Sequence, residues 1–219
     1  MIYAYAIHGG DEPPSSPSDR GLGGAQLRRT ACRGIAATFT RHRTLQPRPT
    51  PRMLWSHEAV VRSLMRRMAV LPLRFGTMLA DEDALRAILA EHHEALAQGL
   101  ERVRDRVELS VTVRGGPPQE SHQDEASGRA YLMARREAHH RSERAAGEVH
   151  EPLAALARDA RLRAPAPPPM ILAAAYLVDR PEVDAFKARV VALAAARDDL
   201  SIVGTGPWPP YSFVPDLAS

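Results

Sequence analysis

The chain has 219 residues, of which 44% are hydrophobic and only 5% aromatic, so it can form one large or two small domains with aliphatic cores. Its single cysteine, Cys32, excludes an intramolecular disulfide and a cysteine-rich zinc site, which fits a reducing compartment. The formal charge of +3 excludes a strongly basic chain, because the 29 basic residues are offset by 26 acidic ones.

The N-terminal segment begins with a buried strand and then becomes irregular. Residues 2–7 are apolar on both faces, which is typical of an interior strand. Residues 11–24 are rich in Pro, Ser and Gly and are predicted to form a loop. A second strand is predicted over residues 32–39, followed by an exposed connection over 45–51 that contains three prolines.

The first helix is predicted over residues 57–69, with Ser56 as its N-cap. Apolar side chains at helical spacing give it one buried face: Val61, Leu64, Met65 and Met68. A strand over residues 70–75 follows, and Pro72 places it at a sheet edge or strand end because proline lacks an amide donor.

A longer helix is predicted to begin at Asp81, its N-cap. Its buried stripe comprises Leu85, Ile88, Leu89, Leu96, Leu100 and Val103. The strand that follows alternates strictly: Val107, Leu109, Val111 and Val113 face inward, and Glu108, Ser110, Thr112 and Arg114 face water. This order of elements predicts an α+β fold with mixed or antiparallel sheets covered by helices.

Residues 116–127 are polar, lack an apolar periodicity and are predicted to link two α+β domains at 1–115 and 128–219. The second domain is predicted to open with a long Arg-rich helix over 128–150, which Pro152 kinks or restarts. Its remaining elements are a buried strand over 170–178, a helix beginning at Pro181 and a last strand over 200–203.

No motif in the chain points to catalysis, a cofactor or a metal. The adjacent histidines 92–93 and 139–140 point about 100° apart on a helix and cannot readily share an ion. His139 and Glu143 have the spacing of a ligand pair, but a single pair on a charged helix is common. We therefore expect no enzyme activity and no cofactor.

No signal peptide or membrane span is expected either. The first residues lack the basic region of a signal peptide, and the longest apolar run, residues 170–178, is far shorter than the roughly 20 residues of a spanning helix. We expect a protein that acts in the cytoplasm.

The C-terminal tail concentrates aromatic residues in an aromatic-poor chain. The tail places three aromatic residues, Trp208, Tyr211 and Phe213, among three prolines. Pro207, Pro209 and Pro210 impose an extended backbone on it. Two interpretations stay open: the tail packs back onto its own domain as a clasp, or its aromatic surface docks a protein partner. They are not exclusive, and the first is favoured.

Several segments of the chain form distinctive motifs. They are the segment from Leu71 to Thr77 followed by the acidic-capped helix, residues 3–7, the pair His57-Glu58 and, after the linker, residues 128–136, 174–178 and 206–213. In this order along nearly the whole chain they resemble the gas vesicle F/L family, and the last three resemble that family's second domain and C-terminus.

The resemblance implies a two-domain α+β protein with ferredoxin-like elements, no catalytic activity and a location at the gas vesicle. It implies association with the small hydrophobic shell protein or with other gas vesicle accessory proteins. The candidate partner-binding residues lie in its motifs: Leu71, Pro72, Arg74, Phe75, Gly76, Thr77, Tyr131, Arg135, Arg136, Trp208, Pro209, Pro210, Tyr211 and Phe213.

An Arg-rich nucleic-acid-binding module is the alternative function, with the helix over 128–150 as its contact element. Arginine binds phosphate and base edges well, but here acidic residues interrupt the arginines, as in residues 101–106. Interleaved charge favours a solvated, ion-paired surface, so we expect no nucleic acid partner.

Overall fold

The computed structural model describes residues 1–10, 20–115, 128–163 and 169–216. The chain forms two compact units, one built from Met1–Val107 with Trp208–Ser219 and the other from Glu108–Pro207. These boundaries differ from the predicted domains at 1–115 and 128–219. The last strand of the predicted first domain belongs to the second unit, and the C-terminal tail belongs to the first. The predicted linker over 116–127 lies outside the described residues.

The first unit is built on a five-stranded sheet in the order β2-β3-β1-β4, with β5 also pairing with β1. Its strands are β1 (Ile2–Gly9), β2 (Leu27–Cys32), β3 (Ile35–Arg41), β4 (Val70–Pro72) and β5 (Met78–Leu79). Strand β1 pairs antiparallel with β3, β4 and β5, and its residues 2–8 are all buried. The prediction of an interior strand over residues 2–7 is confirmed.

A hairpin replaces the single strand predicted over 32–39. Strands β2 and β3 pair antiparallel, with Cys32 opposite Ile35, and Arg33 and Gly34 form the two-residue turn between them. Both turn residues have positive φ, 50° and 82°, which matches the right-handed twist of the flanking strands. The predicted strand over 32–39 includes these two turn residues, because arginine is unusual at a positive φ and does not signal a turn.

Helix α1 (Pro51–Met65) begins six residues before the predicted start. Thr50, not Ser56, is the N-cap: its Oγ1 accepts a hydrogen bond from the Met53 amide at 3.4 Å. Pro51 suits the first helical position, because a backbone N–H at that position would have no acceptor within the helix and its absence in proline costs nothing. The predicted strand over 70–75 is shorter than expected, because β4 ends at Pro72.

The helix predicted from Asp81 is two helices, α2 (Glu82–Glu91) and α3 (His93–Val103), separated at His92. Asp81 is the N-cap, as predicted, and its Oδ1 accepts from the Ala84 amide at 2.9 Å. Leucines 85, 89, 96 and 100 of the predicted stripe are buried.

The second unit contains a four-stranded sheet in the order β7-β8-β6-β9. Its elements in chain order are β6 (Arg106–Gly115), α4 (Gly128–Ala154), β7 (Asp159–Leu162), β8 (Met170–Asp179), α5 (Val183–Ala195) and β9 (Leu200–Trp208). Side chains of β6, β8, α4 and α5 share one core, in which Tyr176 and Phe186 are the largest buried residues. The α+β class is therefore confirmed.

Three predictions for the second unit were wrong in detail. Glu108 was expected to face water but is only 3% exposed, and its carboxylate lies 4.0 Å from the Arg163 guanidinium. Helix α4 does not restart at Pro152 but continues through it to Ala154, because proline in the last turn removes one amide donor while Val149 and Leu153 remain buried. Strand β7 was missed, since it is only four residues long.

Candidate partner-binding surface

The segment Leu71–Thr77 forms a tight turn between β4 and β5, held by the core behind it. The Gly76 amide donates to the Tyr3 hydroxyl at 3.2 Å, and the Leu73 amide donates to the Tyr5 carbonyl at 2.8 Å. Gly76 has a φ of 92°, a conformation that favours glycine. The turn therefore depends on side chains and carbonyls of β1, about 70 positions earlier in the chain.

His57 of α1 connects this turn to the sheet. Its Nε2 lies 3.1 Å from the Leu73 carbonyl oxygen, which can only accept, so Nε2 carries the proton. Nδ1 then accepts from the Tyr3 hydroxyl at 2.8 Å. Both rings are almost fully buried, and burial lowers the pKa of His57 and raises that of Tyr3 to about 12. This pair is therefore a neutral structural link.

Aromatic rings enclose His57 on several sides. The Tyr5 ring stacks on it at a centroid distance of 5.5 Å, while Tyr3 and Phe75 approach it edge-on at 5.7 and 5.9 Å. The Tyr5 hydroxyl accepts from the Leu22 amide at 2.7 Å, which fixes the start of the turn at Leu22–Gly24. The rings of Tyr3, Tyr5, His57 and Phe75 thus form one cluster behind the turn at Leu71–Thr77.

The C-terminal tail packs against the same unit, along α1. The Tyr211 hydroxyl donates to Glu58 Oε2 at 3.1 Å, and the other oxygen of Glu58 accepts from Arg62 Nε at 2.9 Å. The Arg62 guanidinium lies 4.7 Å from the centre of the Trp208 ring. Burial and the Glu58 charge raise the pKa of Tyr211, so this phenol keeps its proton.

The end of the tail is buried more deeply. Phe213 is 2% exposed, and Pro209 and Pro210 are buried. Pro215 packs so closely on α3 that a Cβ added at Gly99 would lie 2.8 Å from its Cγ. The tail was expected to clasp the C-terminal domain, but it packs within the unit that contains the N-terminus.

The predicted candidates in the first unit therefore differ in accessibility. Leu71 and Pro72 are buried in β4, while Phe75, Gly76 and Thr77 are half-buried. Thr77 contributes to the turn itself, since its hydroxyl donates to the Arg74 carbonyl at 2.7 Å. Of this segment only Arg74 is exposed.

The remaining candidates lie on the N-terminal half of α4. The side chain of Tyr131 is outside the described residues, whereas Arg135 and Arg136 are exposed. Arg136 Nε donates to His140 Nε2 at 3.4 Å, and His140 lies 3.3 Å from Glu143. Acidic and basic side chains thus alternate along this surface.

Sequence reasoning missed the most exposed aromatic side chain of α1. Trp55 is 69% exposed and its neighbour Leu54 is 42% exposed. The helix predicted over residues 57–69 leaves both residues outside it, whereas α1 begins at Pro51 and includes them. Recognising that Pro51 can occupy the first helical position would have placed Trp55 on the helix.

Within the described ranges, no three His, Cys, Asp or Glu side chains are grouped as metal ligands. None of the described helices has the length and apolar character needed to cross a bilayer.

Comparison with known proteins relates the chain to gas vesicle proteins. A sequence model of the gas vesicle synthesis protein GvpL/GvpF family matches residues 1–215. Gas vesicle protein L of a Streptomyces species is 35% identical over 72% of this chain and 67% of its own length. Gas vesicle protein F2 of Halobacterium salinarum is 27% identical over 97% of this chain and 91% of its own length.

Two solved structures have the same fold. The crystal structure of GvpF from Anabaena sp. superposes with a TM-score of 0.84, covering 98% of both chains at 22% identity. GvpF from Microcystis aeruginosa superposes with a TM-score of 0.82 at 17% identity, again over 98% of both chains. With a family match over almost its entire length and motifs in the expected order, this chain belongs to the GvpL/GvpF family of gas vesicle synthesis proteins.

Proposed function

We propose that this protein acts during gas vesicle assembly by binding the small hydrophobic shell protein through strand β9, an edge strand of the second sheet. Membership of the GvpL/GvpF family places the chain in gas vesicle formation. The shell protein as direct partner, β9 as the contact and the cytoplasmic surface of the growing vesicle as the location are the proposal.

The physical need for such a factor follows from the shell subunit. A subunit whose assembled wall has an apolar, gas-facing surface exposes apolar surface or strand edges before assembly. An accessory protein that pairs temporarily with such an edge keeps the subunit from aggregating and can deliver it to the growing wall. Pairing of backbone groups provides affinity for extended segments of many sequences.

Strand β9 carries the proposal because it is a long edge strand without charge. It has nine residues, lies at the edge of the second sheet and contains no Asp, Glu, Lys or Arg. Ser201, Val203, Gly204 and Thr205 are exposed, and Val203 has half of its surface accessible. Residues 200–205 also lack proline, so each can take part in a β-ladder.

The other described edge strands carry the features that prevent pairing. Strand β2 has Arg28 and Arg29, and the four-residue β7 has Asp159 and Arg161. Strands β4 and β5 are uncharged but only three and two residues long. Charge and shortness are common means by which proteins protect sheet edges. Their absence at β9 supports a pairing role for this edge.

Replacing Val203 with lysine is expected to reduce capture of the purified shell protein at least tenfold, because a charge on the pairing edge opposes strand addition. The measurement is a pull-down of shell protein at low and high salt. Capture by the unchanged protein should survive high salt, since apolar and backbone contacts are little screened. The matched control is Val191→Lys, which places the same charge on an exposed valine of α5.

Equal loss of capture in both lysine variants, or none in Val203→Lys, contradicts pairing through β9. A Trp208→Ala, Tyr211→Ala double variant tests the tail in the same assay. Unchanged capture with folding intact removes the tail from the binding surface. Recovery of nucleic acid at low salt in place of shell protein would direct attention to Arg135 and Arg136 of α4.

A further inference from the structure

The outer face of α1 carries a row of side chains with the spacing of a helix–helix contact. Arg52, Trp55, Ala59, Arg62 and Arg66 follow one another at intervals of three and four residues. This is the spacing of one seam of a coiled coil. The opposite face, which contains His57, Val60, Val61 and Leu64, is buried in the core. The row therefore faces away from the core, although its member Arg62 is half-buried and packs on Trp208.

Trp55 is the unusual member of this row. The chain has only two tryptophans, and Trp55 is 69% exposed. Ala59, one turn further along, is also exposed and small. A small residue beside a large exposed ring leaves room for another helix to approach closely. Exposed tryptophan is also the residue type that most often dominates the energy of a protein interface.

The segment that contains this row is rich in arginine. Residues 41–74 contain one acidic residue, Glu58, against eight arginines at positions 41, 43, 48, 52, 62, 66, 67 and 74, of which Arg41 is paired with Glu82 of α2. Both oxygens of Glu58 are already used by Arg62 and Tyr211. Arg52 and Arg66 are exposed, and within the described part of the chain neither has an ion-pair partner. Their charges are available to an acidic partner.

We infer that the row formed by Arg52, Trp55, Ala59, Arg62 and Arg66 docks an acidic amphipathic helix of a protein partner. The arginines at its ends are separated by about 21 Å along the helix, because 14 residues rise 1.5 Å each. Apolar side chains of the partner pack on Trp55 and Ala59, and carboxylates at its flanks pair with Arg52 and Arg66. A central apolar contact with a charged rim is the usual composition of a protein interface.

This surface lies on α1 and differs from the β9 edge proposed for the shell protein, so the two proposals stand independently. The arrangement favours a helix over a nucleic acid. A phosphate backbone carries charge along its whole length and would meet the uncharged side chains of Trp55 and Ala59 at the centre of the row without compensation. A helical partner instead places its apolar stripe there.

The test uses the full-length protein and a synthetic peptide of about 18 residues, long enough to span the row as a helix. The peptide has leucines on one face and glutamates at the flanking positions. In the Trp208→Phe variant, Trp55 is the single tryptophan. Peptide binding should shift its emission to shorter wavelength in a saturable way. The affinity of a labelled peptide should decrease at least tenfold in Trp55→Ala and in the Arg52→Gln, Arg66→Gln double variant.

The controls separate this site from general attraction of polyanions. Val191→Ala removes an equally exposed side chain of the second unit and should leave the affinity unchanged. A scrambled peptide of the same composition and a DNA duplex should not shift the Trp55 emission. The inference is overturned if the designed peptide gives no saturable shift, if Trp55→Ala binds it equally well, or if the scrambled peptide or DNA binds in the same way. Shell-protein capture by Trp55→Ala should remain unchanged, so failure of one proposal leaves the other intact.

Discussion

Replacement of His57 with alanine should lower the free energy of unfolding of the first unit by about 3–5 kcal/mol, the usual cost of truncating a large buried ring. His57 is 3% exposed and contacts the rings of Tyr3, Tyr5 and Phe75. Its loss also removes the acceptor of the Tyr3 hydroxyl proton and the donor to the Leu73 carbonyl. Both groups would then be buried without these partners.

Urea unfolding followed by tryptophan fluorescence measures this effect, because Trp55 and Trp208 both belong to the first unit. The matched comparison is Tyr3→Phe, which keeps the ring and removes one hydroxyl, with an expected loss of about 1–2 kcal/mol. If His57→Ala costs no more than Tyr3→Phe, the histidine is not the link between α1 and the turn at Leu71–Thr77.

The penalty of His57→Ala should also become smaller as the pH falls from 7.5 to about 5, the range in which a histidine titrates. Burial lowers the pKa of His57 below its ordinary value of 6.5. As the pH falls below 6.5, the unfolded chain therefore binds a proton before the folded chain does. The contribution of neutral His57 is complete above pH 6.5 and is lost toward the lower, folded pKa. Unfolding curves of both proteins at several pH values measure the difference.

Replacement of Phe213 with alanine should cost about 3–5 kcal/mol and loosen the tail from the first unit. Phe213 is 2% exposed and is the one large apolar side chain of the tail that is buried, since Trp208 and Tyr211 are only half-buried. When the anchor is lost, the hydrogen bond from Tyr211 to Glu58 and the packing of Arg62 on Trp208 should weaken together.

Urea unfolding and the emission of Trp208 report the two consequences in one sample. The emission should move to longer wavelength in Phe213→Ala before global unfolding, as the ring becomes hydrated. Leu162→Ala is the control, since that side chain is 61% exposed and its truncation should change stability by less than about 0.5 kcal/mol. A Phe213→Ala protein as stable as this control would show that the tail does not stabilise the first unit.

The elements that sequence reasoning predicted well are those with a strong local pattern. Residues 2–7 and 170–178 are continuous apolar runs, and both are strands. Strict alternation identified β6, and an aspartate in position to cap identified the start of α2. Such patterns persist because burial of one face requires them wherever the element packs.

Other features could not be predicted because the local sequence is compatible with more than one structure. A proline can interrupt a helix or begin one, and Pro51 begins α1. Residues 33 and 34 could continue a strand or reverse it, and the pairing of β2 with β3 selects the turn. Glu108 follows the solvent side of the alternating pattern, yet it is buried. For the turn and for Glu108, contacts with residues on other elements changed the local preference.

The candidate surface shows the same division between local pattern and tertiary contact. The class of the fold, the order of the main elements and the family motifs follow from residue types and their periodicity along the chain. The folded structure was needed to show that the turn at Leu71–Thr77 is held from within by Tyr3, 73 positions before Gly76, and by His57. It alone placed the tail on α1 and left Trp55 exposed, because burial is set by which surfaces meet in the folded chain and not by the residues adjacent in sequence.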